Sequence, residues 1–92
     1  MEAMNELGAA ARRLVGRQPV RLRYQTQEQR FLLQDVHSDA RVAALVRDKS
    51  TLQLCGPVDA APLVLSAGRP VNQSTFWRWC FVNCFGQEIR PD

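Results

Sequence analysis

Val20-Arg21-Leu22-Arg23-Tyr24 alternates strictly between apolar and charged residues. Successive side chains of an extended chain point to opposite faces. Val20, Leu22 and Tyr24 therefore share one side, and Arg21 and Arg23 the other. The pattern predicts a half-buried strand with two guanidinium groups standing outward. Five polar residues, Gln25-Thr26-Gln27-Glu28-Gln29, separate it from a second apolar run, Arg30-Phe31-Leu32-Leu33-Gln34-Asp35-Val36. That spacing predicts an antiparallel hairpin. His37-Ser38-Asp39 turns the chain again, because short Asp and Ser side chains bond nearby backbone amides.

Downstream, Arg41-Val42-Ala43-Ala44-Leu45-Val46-Arg47 admits two readings. One is a strand buried on both faces. The other is a helix capped by Ser38 or Asp39, with Val42, Leu45 and Val46 along one side. The strand is preferred, because Asp48-Lys49-Ser50 makes a turn and Thr51-Leu52-Gln53-Leu54-Cys55 alternates directly after it. Gly56-Pro57 breaks that strand. Pro62-Leu63-Val64-Leu65 predicts a short edge strand, with proline at its start, and Gly68-Arg69-Pro70 breaks it. Five of the seven aromatic residues lie in the run from Phe76 to Phe85. Aromatic richness favours a strand there, with Trp77, Trp79, Phe81 and Phe85 on one face and Phe76, Arg78, Cys80, Val82 and Cys84 on the other. A helix capped by Ser74 competes for the same residues.

Upstream, residues 3–15 carry Met4, Leu7, Ala11, Leu14 and Val15 at helical spacing. Glu2 and Glu6 near the start and Arg12 and Arg13 near the end suit the helix dipole. Gly16 stands where a helix ends, with Pro19 beyond it. The expected fold is α+β and mostly β, in one domain over residues 1–92. An N-terminal helix precedes a five- or six-stranded antiparallel meander, either open or curled into a small barrel. The element order is that of small RNA-binding barrels that begin with a helix, a comparison of layout alone.

The chain has 92 residues and a formal net charge of +3. No apolar run reaches the roughly 18 residues that a membrane-spanning helix needs, so no membrane partner is expected. The acidic N-terminus lacks the features of a signal peptide. Three cysteines make an odd count, and reduced thiols in a cytoplasmic setting are the expectation. The charge is unevenly placed. Arg12, Arg13, Arg17, Arg21, Arg23 and Arg30 fall within 19 residues that hold only Glu28 as an acid. Guanidinium forks suit phosphate and carboxylate, and they stack on flat rings. The plain alternative is an arginine-rich composition lining a solvated face.

Catalysis and cofactors find little support. Cys55, Cys80, Cys84 and His37 lack the paired spacing of a structural zinc site, so core thiols are expected and no metal. Asp35, His37, Ser38 and Asp39 are turn residues before they are a triad, which gathers its members from distant segments. No phosphate-cradling glycine loop and no hydrolase motif occurs. No catalytic residue and no cofactor is therefore expected. Two functions remain. The first is a non-enzymatic protein-interaction module, such as a regulatory subunit, adaptor, inhibitor or homo-oligomer, presenting an apolar or basic sheet face. The second is a module for single-stranded RNA or DNA. It would use Arg12, Arg13, Arg17, Arg21, Arg23, Arg30 and Arg78, with Trp77 and Trp79 as stacking platforms if they face outward.

Overall fold

The computed structural model describes residues 2–79. The helix α1 (Glu2–Val15) leads into five strands: β1 (Val20–Gln25), β2 (Arg30–Asp35), β3 (Arg41–Asp48), β4 (Thr51–Cys55) and β5 (Leu63–Ser66). A second short helix, α2 (Gln73–Trp79), follows. The strands form one antiparallel sheet in the order β1-β2-β3-β4-β5, a meander whose ends do not meet. The barrel variant is thus corrected to an open sheet, because β5 pairs with β4 and not with β1.

Helix α1 ends as its sequence predicts. The amide of Gly16 donates to the carbonyl of Arg12 at 2.8 Å, with Gly16 at φ +60°. That left-handed position is open to glycine without a Cβ clash. The helix buries Met4, Leu7, Gly8, Ala10 and Ala11 and packs across β3, β4 and β5.

Opposed residues of antiparallel strands share a face. The pairs Val20↔Asp35, Leu22↔Leu33, Tyr24↔Phe31, Phe31↔Leu45 and Leu45↔Leu54 therefore put the core side chains on one side. Leu7 from α1, Leu33, Leu45 and Leu52 from the sheet and Phe76 from α2 are fully buried in that core. A register shift between Leu33 and Gln34 sets Leu33 opposite Ala43 and Gln34 opposite Arg41. The extra residue, Val42, also joins the core.

The run at 76–85 differs from expectation. Phe76 to Trp79 belong to α2, and the face assignments of Cys80, Phe81, Val82, Cys84 and Phe85 lie outside the described residues. The helix forms because Asn72 caps it. Its side-chain Oδ1 accepts from the amide of Thr75 at 2.8 Å, and its carbonyl accepts from the amide of Phe76 at 3.1 Å. The ring of Phe76 lies 5.8 Å from that of Phe31, tilted by 59°, and Phe31 lies 4.8 Å from Tyr24. Packing of one aromatic into the core outweighs the intrinsic strand preference of the run.

Candidate functional site

The side of the sheet away from the core cluster carries the arginines. Arg21 and Arg23 stand on it in β1, as their alternation predicts. The register then adds Gln34 and Arg41 beside Arg21, Leu32 and Ala44 beside Arg23, and Gln25, Arg30 and Val46 in the next row. Leu32 and Ala44 are buried at 5% and 0% exposure, although neither belongs to the main core cluster. Arg30 and Arg41 flank them, and long arginine stems cover apolar surface while their heads reach polar partners.

Those heads converge on one acid. Arg41 Nη2 lies 2.7 Å and Arg30 Nη1 2.9 Å from the same Oδ1 of Asp59. Each guanidinium has a second anchor. Arg30 Nε donates to Gln25 Oε1 at 2.6 Å, and Arg41 Nε donates to the carbonyl of Gly56 at 3.0 Å. Asp59 sits in the 56–62 connection between β4 and β5, which is thereby drawn over the arginine face as a strap. Arg41 first, then Arg30, hold the Asp59 carboxyl below the usual carboxylate range. Arg21 is paired in its turn with Asp39.

The remaining predicted residues are scattered. Arg12 and Arg13 are exposed in the last turn of α1, and Arg17 is exposed in the link that follows. They belong to the helical layer, not to the arginine face of the sheet. Arg78 is exposed in α2, whereas Trp79 is half-buried against the core. Trp79 thus sits on a helix and not on the expected strand, and the side chain of Trp77, the other expected stacking platform, lies outside the described residues. The turn residues serve the backbone: Asp35 Oδ1 accepts from the amides of His37 and Ser38 at 2.8 and 3.0 Å, which holds its carboxyl low as well. Cys55 is a half-buried free thiol. Among the described residues no group of three His, Cys, Asp or Glu could hold a metal ion.

Arg41 and Asp59 were not singled out from the sequence. The available signal was the doubly apolar Leu32-Leu33 and Ala43-Ala44 pairs, which require cover on both faces of the sheet.

A second feature lies on the helical side of the sheet. Ala10, Arg13 and Leu14 of α1 face Leu54, Gly56, Ala61 and Leu63 across an open groove of about 330 Å³. It adjoins β5, the outermost strand. Leu14 and Leu63 are substantially exposed there, and Val64 is exposed on the other face of β5. No described helix is long and apolar enough to cross a membrane. No protein-family model, curated protein or solved structure matches this chain.

Proposed function

We propose that this chain is a cytoplasmic, non-catalytic protein-interaction module that receives an extended acidic segment of a partner protein along β5 and its groove. The contrast between the two sheet edges carries the reading. Edge strands present unpaired backbone groups and are normally blunted by charge, proline or covering elements. The β1 edge carries Arg21 and Arg23. The β5 edge, Leu63-Val64-Leu65-Ser66, carries no charge, and among the described residues no further strand pairs with it. An added strand would gain main-chain hydrogen bonds from β5 and lay alternate side chains into the groove.

Charge selects the occupant. Arg13 lines the groove, Arg12 and Arg17 adjoin it in sequence, and Arg69 follows β5. Asp59, the acid of the neighbouring loop, is engaged with Arg30 and Arg41. A second copy carries the same net +3, so an acidic heterologous segment fits better than self-association. The odd thiol count supports the reducing compartment.

The test is an NMR titration of the labelled protein with a synthetic peptide of alternating valine and glutamate. Shifts should concentrate on β5 and Leu14, and Leu63→Glu should remove them while the protein stays monomeric in light scattering. Shifts absent from β5 would overturn the reading. A second reading, single-stranded nucleic acid on the outer face, rests on Arg21 and Arg23 sharing that face. It requires a salt-sensitive mobility shift that Arg23→Ala weakens.

A further inference from the structure

We infer that Arg30 and Arg41 form a receiving site for an acidic side chain of a partner protein, occupied here by the chain's own Asp59. The inference rests on the protein-binding reading above but concerns a separate surface. The two cations belong to the sheet, and their side chains are only 19% and 16% exposed. Gln25 holds one and the Gly56 carbonyl, at the start of the loop, the other, so each guanidinium has an anchor besides the carboxylate. The carboxylate comes from a loop and is 62% exposed. The cations are thus the recessed partners and the anion the exposed, loop-borne one, which is the member an outside carboxylate can replace with the same bonds.

Two further observations favour exchange. Ala61, in the same loop, has φ +47°, a left-handed conformation that a residue with a Cβ adopts at a cost, and release of the loop relieves it. The loop also connects the two surfaces, since Gly56 and Ala61 line the groove beside β5 while Asp59 reaches the opposite face. Recessed guanidinium groups suit a compact carboxylate on a side chain. A nucleic-acid backbone needs a row of exposed ones. The resident, an aspartate between Val58 and Ala60, is itself an example of the peptide chemistry the site accepts.

The experiment titrates wild type, Asp59→Asn and Asp59→Ala with three probes. These are a blocked Val-Asp-Ala peptide, its Val-Asn-Ala counterpart and a single-stranded ten-thymidine oligonucleotide. An internal competitor on a short tether lowers apparent affinity in proportion to the time it occupies the site. Both variants should therefore bind the aspartate peptide about tenfold tighter than wild type, with shifts at the Arg30 and Arg41 Nε–H groups. Arg41→Gln added to Asp59→Asn should abolish the gain. Leu63→Glu added instead should preserve it, which separates this site from the β5 edge. Asp39→Asn makes the same charge change elsewhere and should give no gain. The inference fails if neither Asp59 variant gains, if Asp39→Asn gains equally, if the asparagine peptide binds as well, or if the oligonucleotide is preferred.

Discussion

Leu45 and Leu32 lie on neighbouring strands, at 0% and 5% exposure, on opposite faces of the same sheet. Leu45 sits within a continuous cluster built from both helices and strands β1 to β4, including Phe76, Leu7 and Leu52, with Leu65 of β5 packed against it. Leu32 shares its face with Ala44 and with arginines, two of which are paired with the Asp59 carboxylate of the 56–62 loop. Both side chains are removed from water, but the means differ. Hydrophobic burial on the helical side is non-directional and roughly proportional to apolar area. On the outer side Arg30 and Arg41 flank Leu32 and Ala44, and their ion pairs with an exposed acid contribute little stability by themselves. The lesson is that burial alone does not identify a core. A two-sided apolar strand is closed on one face by packing and, as inferred above, on the other by a removable cover.

Identical substitutions on the two faces break or sharpen that contrast. Leu45→Ala should lower stability by about 3–5 kcal/mol, because the packed surroundings cannot collapse into the space. A domain of this size has on the order of 5–10 kcal/mol in total, so the variant should be close to unfolding at physiological temperature. Leu32→Ala should cost only about 2 kcal/mol, because arginine stems can settle into the gap. Urea unfolding of both variants, with slopes compared to confirm a common unfolded state, measures the difference. Equal losses would mean that the outer face is packed as tightly as the core, and the removable-cover interpretation would fall.

Much of this arrangement can be read from local pattern. The helical period of residues 3–15 and the alternation of 20–24 and 51–55 place α1, β1 and β4 within a residue or two. The same alternation puts Arg21 and Arg23 on one face. Non-local pairing is what escapes. Arg30 and Asp59 are joined across 29 residues and Arg41 and Asp59 across 18, and no periodicity encodes either bond. The register shift beside Gln34, which brings Arg41 onto the arginine face, is equally silent in the sequence. For α2 the local signals conflicted. Aromatic content favours a strand, whereas a capping residue favours a helix; the cap is Asn72 and not the expected Ser74, which lies within α2, and contact between Phe76 and Phe31 decides for the helix.

The smallest expected effect concerns the cover itself. Arg41 and Arg30 hold the Asp59 carboxyl below its ordinary range. A carboxyl whose folded value is depressed contributes stability that is present above the unfolded value and lost as pH falls through the folded one. The contribution should therefore be intact at neutral pH and decline only below about pH 4. An NMR pH titration should show the amides of residues 57–61 shifting together in that acidic window while the Leu45 amide stays put. Asp35 is also held low, by the amides of Ser38 and His37, so the 37–39 turn supplies an internal control that titrates without moving the strap. In Asp59→Asn the strap transition should vanish and the Asp35 transition remain. If Asp59 instead titrates at or above the ordinary carboxylate value, the two guanidinium groups do not grip it in solution. The Asp59 strap would then contribute nothing to closing the outer face.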